Sequence, residues 1–209
     1  MFTWAKFVLA CLDFVPMILL SLVLFRQKIK PHWWPISFAA LAGSLVTYLD
    51  QSPLLYLSII CVLIISVWKF QPIPAVVAAI SGYILSDIVS TGVNMIWELL
   101  PFTSFTDMDD DTAQQVIILL LIIGVKCGML VGIRKLRLGF TFLTHYTRIP
   151  PTKENAGFYL FILVVILGIA YQDFYPESML SALMPIQLLG FETALFVYVM
   201  LGKELSFQR

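Results

Sequence analysis

The chain has 209 residues, of which 60% are apolar and only 12% are charged. That charged share is about half of what soluble globular proteins carry, and the mean hydropathy is +0.91. Apolar surface on this scale is not left in water, so the composition excludes a water-soluble fold and predicts a membrane protein. Because the formal net charge is +0, the position of each charge along the chain is more informative than the total.

Apolar runs bounded by charges and prolines predict about seven transmembrane helices. In chain order these runs cover 4–25, 34–49, 53–69, 73–99, 115–133, 157–173 and 179–201. The predicted fold class is an all-α polytopic membrane helical bundle, forming a single transmembrane domain over 1–209 with no soluble domain. The second and third runs are short, so they form either two short spans or a re-entrant hairpin. The first run is too long for the apolar part of a signal peptide and is predicted to be a retained helix.

Basic residues are segregated between the two sets of predicted loops. One set carries 11 of the 13 Lys and Arg residues, namely Arg26, Lys28, Lys30, Lys69, Arg134, Lys135, Arg137, Arg148, Lys153, Lys203 and Arg209. The opposite loops carry eight of the 13 acidic residues and no Lys or Arg. Because Lys and Arg resist translocation, this pattern predicts an external N-terminus and an internal C-terminus. The expected location is a bacterial plasma (inner) membrane, which the chain crosses several times.

Four ionisable residues fall well inside the predicted spans, namely Asp13, Asp87, Lys126 and Glu192. Each is costly in a bilayer unless it is paired, hydrated or neutralised, so each is a functional candidate. Counted from the predicted outer ends, they lie roughly 14 to 20 Å deep at the helical rise, which allows them to share one layer. We predict an intramembrane charge network in which Lys126 faces the bundle and pairs with at least one acid. The alternative is that Lys126 extends toward Arg134 at the interface, while Asp13 bonds backbone groups freed by Pro16.

The fourth run contains a polar stripe, formed by Tyr83, Asp87, Ser90, Thr91 and Asn94. These residues are separated by helical steps, so they are predicted to line one face of a helix. A polar stripe of about three turns is expensive against lipid and must face a bundle interior or a water-filled cavity. We therefore predict that these five residues bind a ligand. The alternative is that they form hydrogen bonds between helices and serve only in packing.

Small residues recur at four-residue spacing in three of the predicted spans. The rows are Gly124, Gly128 and Gly132, then Ala78 and Gly82, then Ala39 and Gly43. Such rows allow close approach of helix backbones, and we expect them to pack helices within the bundle. The alternative is a face for a homodimer.

The remaining motifs predict no catalysis. The acidic run 106–112 departs from the EF-hand calcium pattern and is expected to cap the next helix, with attraction of cationic ligands from outside as the alternative. The basic and aromatic loop 134–153 is suited to anionic lipid on the inner leaflet. The three cysteines lie in apolar runs and are interpreted as reduced packing residues. No catalytic residue, metal ligand, cofactor or nucleic-acid partner is expected, and we classify the chain as a non-enzyme.

The order of these features resembles the N-terminal membrane module of bacterial peptide-sensing histidine kinases of the accessory-gene-regulator type. The shared layout comprises an external first helix followed by the basic turn 26–30, a short hairpin at 34–69, the basic inner loop 134–153, and a last helix that exits at Lys203. In that family the last helix continues into a phosphoacceptor helix and an ATPase domain. The chain stops at Arg209, so the resemblance transfers no catalytic residue.

Two functions remain open from the sequence. The first is a sensor that binds a small signal and relays it to a cytoplasmic kinase partner or to a kinase domain beyond this chain. The second is a small-molecule transport component of the vitamin-importer type, whose pocket is the polar stripe and whose partner is an ATPase.

Overall fold

The computed structural model describes residues 4–27, 32–48, 53–99, 111–136, 138–140, 155–174 and 184–207. These residues form seven α-helices and no strand, which confirms the predicted all-helical fold. The helices are α1 Trp4–Leu24, α2 Trp33–Tyr48, α3 Pro53–Trp68, α4 Pro72–Leu99, α5 Asp111–Lys135, α6 Ala156–Phe174 and α7 Met184–Phe207. Each overlaps one predicted apolar run, and the bounds agree to within six residues.

Four of the described helices, α1, α4, α5 and α7, are long and apolar enough to cross a membrane. The chain is therefore a membrane protein with a helical bundle. Helices α2 and α3 have 16 residues each, or about 24 Å at the helical rise, against a hydrocarbon core of about 30 Å. They are two separate helices that pack against each other.

The ends of several helices follow from local chemistry. Pro53 and Pro72 are the first residues of α3 and α4, where the missing N–H costs nothing and the fixed φ favours a helical start. Helix α1 ends in a Schellman motif, in which the N–H of Arg26 donates to Val23 O and the N–H of Gln27 donates to Leu22 O, both at 2.9 Å. Arg26 has a φ of 52°, as the left-handed residue of this motif requires.

Helix α4 lies at the centre of the bundle and contacts α1, α3, α5, α6 and α7. Small buried side chains on α4 allow this close packing. At Gly82, a Cβ atom would lie 2.9 Å from the backbone nitrogen of Ser21, so α1 and α4 are in direct backbone contact there. The row of Ala39 and Gly43 packs in the same way, with Gly43 against the ring of Phe14 on α1.

The glycine row of α5 contradicts the expectation that it packs helices within the bundle. A Cβ atom added at Gly124, Gly128 or Gly132 would meet no atom within 4 Å. The reason is the rotation of α5, which turns Lys126 inward. A residue two positions away on a helix lies about 200° around the axis, so Gly124 and Gly128 face outward.

A short segment after α5 returns to the end of α1. The N–H of Phe140 donates to the carbonyl of Leu24 at 2.7 Å, and the ring of Phe140 lies 6.0 Å from that of Phe196 on α7. Gly139 has a φ of 146° and closely approaches Leu24 O, so a side chain is excluded there. This segment connects the end of α1 to the middle of α7. The rest of the predicted lipid-binding loop, 141–153 together with 137, lies outside the described residues, as does 106–110 of the acidic run.

Candidate functional site

A buried ion pair joins α1 and α5. Lys126 Nζ lies 2.7 Å from Oδ1 and 2.8 Å from Oδ2 of Asp13, so the ammonium bridges both carboxylate oxygens. Lys126 is only 1% exposed, whereas Asp13 is 28% exposed. The lysine thus points into the bundle toward Asp13 rather than toward Arg134. Pairing with both oxygens offsets part of the cost of burying the two charges.

A cavity of about 270 Å³ opens beside this pair, between α1, α4 and α5, with one contribution from α3. We call it the polar cavity, and its polar lining residues are Asp13, Tyr56, Tyr83, Ser86, Asp87, Ser90 and Lys126. Phe14 also lines it, and its ring packs edge-on against Tyr56 with centroids 5.4 Å apart. The ring of Tyr56 in turn lies 5.9 Å from that of Tyr83. The polar cavity therefore combines charged groups with an aromatic wall.

The predicted polar stripe on α4 enters this cavity only in part. Tyr83, Asp87 and Ser90 line it, but Thr91 and Asn94 do not. Thr91 is half-buried and Asn94 is exposed. Asn94 lies on nearly the same side of the helix as Asp87, but about 10 Å further along the axis, beyond the end of the cavity. The expectation that all five residues form one site is therefore corrected to three.

Asp87 lines the cavity from α4, which packs against both α5 and α7. Its carboxyl group interacts electrostatically with Lys126 and with Glu192 of α7. Glu192 is 4% exposed, and its Oε1 has no hydrogen-bond partner among the described residues. On α6, Gly168 faces this carboxyl group so closely that a Cβ atom would overlap it. The absence of a side chain at Gly168 therefore makes room for Glu192.

The structure adds two residues that sequence reasoning did not select. Ser86 follows Tyr83 by three positions and precedes Ser90 by four, so the spacing rule used for the stripe would have included it. Its carbonyl accepts a hydrogen bond from Ser90 Oγ at 3.0 Å. Tyr56 lies on α3 within an apolar run, and no periodic signal distinguishes it there. The structure also joins parts of two predicted groups, since Asp13 and Lys126 of the charge network line the same cavity as three residues of the stripe, whereas Glu192 of the network does not line it.

The cavity has the size and polarity for a small molecule. Its volume of about 270 Å³ corresponds to roughly nine water molecules at ~30 Å³ each. Within the part of the chain that the structure describes, no group of three His, Cys, Asp or Glu side chains is arranged to hold a metal ion. The two charges of the ion pair cancel, so Asp87 supplies the remaining formal charge in the lining.

The chain matches no known protein family, no curated protein and no solved structure. The resemblance in layout to peptide-sensing kinase modules therefore stays a prediction.

Proposed function

We propose that the chain is an integral membrane sensor, which binds a small polar signal in the polar cavity and relays binding to a cytoplasmic partner through α7. The position of Asp87 carries this proposal. It lines the cavity and also interacts with Glu192 on α7. A ligand that binds Asp87 changes the electrostatic environment of Glu192, so ligand binding would shift the preferred position of α7.

The energetics of the lining favour a binding role. Charged and hydroxyl groups at membrane depth are costly, and a helix bundle held only by packing does not need them. In the ion pair, Lys126 donates two hydrogen bonds to Asp13, so the two charged groups satisfy each other. Asp87 remains beside an open volume rather than inside a closed pair, as expected of a group that meets a ligand.

Helix α7 is suited to carry the signal. Phe196 follows Glu192 by one helical turn, so both residues face the same side of α7. The ring of Phe196 contacts Phe161 of α6 and Phe140, which is bonded to the end of α1. A displacement at Glu192 therefore reaches the end of the bundle that carries Lys203. We assign that end to the cytoplasm, where a kinase partner or a kinase domain beyond this chain would receive it.

The proposal includes seven crossings of a bacterial plasma membrane, with the N-terminus outside. The segregation of 11 of the 13 basic residues to one set of loops supports this orientation. Cysteine labelling of intact cells tests it, with one cysteine at Ser104 and another at Thr144. We expect a membrane-impermeant reagent to modify the first and not the second, and the reverse pattern would contradict the orientation.

Because the chemical identity of the signal is open, ligand binding is tested with a broad panel of compounds. The purified protein is screened by thermal melting against amino acids, amines, nucleosides and short peptides. We expect at least one compound to raise the melting temperature of the native protein and of Asn94→Leu, but not of Asp87→Asn. The hit should also change hydrogen–deuterium exchange in α7. If no compound acts through Asp87, the cavity is not a ligand site.

A transport component is the second candidate. Transporters bind their substrates near the middle of the bilayer, and the charges of the polar cavity lie well inside the predicted spans. Sealed vesicles containing the protein and an ATPase partner separate the two functions. A transported compound accumulates inside the vesicles, whereas a sensed compound changes α7 without accumulating.

A further inference from the structure

The charges around the polar cavity are unbalanced. Two acids, Asp13 and Asp87, line it together with one base, Lys126, while a third acid, Glu192 of α7, lies outside the lining. The lysine is engaged by both oxygens of Asp13, so its charge is committed to that carboxylate. Asp87 lines the cavity, whereas Glu192 is buried outside the lining, with an Oε1 atom that has no hydrogen-bond partner among the described residues. The arrangement has an excess of negative groups, which a bound cation would complement.

The remaining wall of the cavity restricts the kind of cation. Phe14, Tyr56 and Tyr83 form a continuous aromatic cluster along it, with successive ring centroids 5.4 and 5.9 Å apart. The face of an aromatic ring attracts an organic cation, and several rings beside a carboxylate are the usual surroundings of a bound quaternary or primary ammonium group. A small metal ion instead requires several oxygen ligands. The volume of about 270 Å³ accommodates an organic ammonium ion of a few carbon atoms.

We propose that the ligand of the polar cavity is a small organic ammonium ion, with Asp87 as its counter-charge and the rings of Phe14, Tyr56 and Tyr83 as its apolar walls. This inference rests on the proposed ligand-binding function and specifies its ligand class. Asp13 and Lys126 fix the helices α1 and α5 on either side of the ion.

The probe for this proposal is choline, compared with its neutral isostere dimethylbutanol, in which carbon replaces the nitrogen. Binding is measured by isothermal titration calorimetry on the purified full chain in detergent. We expect choline to bind at least about tenfold more tightly than the isostere, because charge-assisted contacts with Asp87 are available only to the cation. Asp87→Asn should remove this preference, whereas Asp87→Glu should retain it.

The aromatic wall is tested separately with Tyr56→Leu. This variant should weaken choline binding by about two- to thirtyfold, the range expected for one ring in contact with a cation, with little change for the isostere. Asn94→Leu on α4 and Gly190→Ala on α7 serve as controls, because Asn94 is exposed and a Cβ atom at Gly190 meets open space. Both controls should bind choline as the native protein does.

The outcomes separate this inference from the proposed function. Equal binding of choline and its isostere would overturn the inference while leaving a small-molecule site in place. Binding of other polar compounds through Asp87, with no binding of choline or tetramethylammonium, would also overturn the inference alone. If neither these probes nor any compound of the wider panel binds, the proposed function fails as well.

Discussion

Two cavities of opposite character lie in this bundle. The polar cavity has a volume of about 270 Å³ and contains an ion pair and a further acid. The second, which we call the apolar groove, lies between α2 and α3 and has about 580 Å³, with Pro35, Phe38 and Val62 among its lining residues. Its two serines, Ser58 and Ser66, donate to carbonyls of their own helix. Lipid chains satisfy an apolar lining such as that of the groove. The smaller cavity contains charged and hydroxyl groups that lipid does not satisfy. Polarity rather than volume therefore identifies the candidate site.

The largest effect is expected from breaking the ion pair of the polar cavity. Lys126→Met or Asp13→Leu alone leaves one charge buried without its partner, and each should lower the free energy of unfolding by about 3 kcal/mol. The double variant removes both charges and should be less destabilised than either single variant. Arg134→Met, at an exposed position on the same helix, should change stability by less than about 0.5 kcal/mol. Strictly additive effects in the double variant would show that the pair is not coupled.

The second-largest effect on stability is expected at the close contact between α1 and α4. Gly82→Ala places a methyl group against the backbone of Ser21 and should destabilise by about 1–3 kcal/mol. Gly92→Ala on the same helix enters open space and should be neutral or stabilising by up to about 1 kcal/mol, because alanine favours the helix. Thermal melting of both variants compares them directly. Equal melting temperatures would mean that α1 and α4 do not approach at Gly82.

A smaller effect on stability, but a selective effect on ligand binding, is expected at Asp87. Asp87→Asn keeps the volume and removes the charge, so its melting temperature should stay near that of the native protein. Any ligand that acts through the polar cavity should bind about tenfold more weakly or worse. Asn94→Leu, outside the cavity, should preserve binding. A large loss of melting temperature with unchanged affinity would identify Asp87 as a packing residue.

The smallest effects are expected in the apolar groove. Ser58→Ala and Ser66→Ala remove hydroxyl groups that bond only backbone carbonyls of α3. Each should change the free energy of unfolding by less than about 0.5 kcal/mol, with no effect on ligand binding. Loss of ligand binding in either variant would show that the groove, and not the polar cavity, holds the site.

The sequence predicted the helices well because a membrane imposes long apolar runs on each of them. It predicted the glycine rows less well. Gly82 and Gly128 share the same small-residue spacing, yet one touches α1 and the other faces outward. The rotation of each helix decides between these outcomes, and α5 is rotated by the long-range pair of Lys126 with Asp13. Spacing along one helix contains no information about that partner.

The candidate site shows the same limit. Depth from the helix ends placed Asp13, Asp87, Lys126 and Glu192 in one layer, and the structure brings the first three to one cavity but leaves Glu192 outside its lining. Periodicity also selected Asn94, which lies on nearly the same side of α4 as Asp87 but does not line the cavity. Tyr56 was missed because an aromatic residue in an apolar run looks like ordinary core. A site formed between helices needs the packing of several elements, which periodicity in one element does not supply.

Cysteine reactivity tests most directly whether the polar cavity admits polar cations at membrane depth. In a variant whose three native cysteines are replaced by alanine, one new cysteine is placed at Ser90 in the polar cavity or at Ser58 in the apolar groove. Both are treated with a cationic and an anionic methanethiosulfonate reagent. We expect Ser90→Cys to react, and faster with the cationic reagent, whereas Ser58→Cys should react with neither. Reaction of Ser58→Cys alone, or a preference of Ser90→Cys for the anionic reagent, would contradict this expectation.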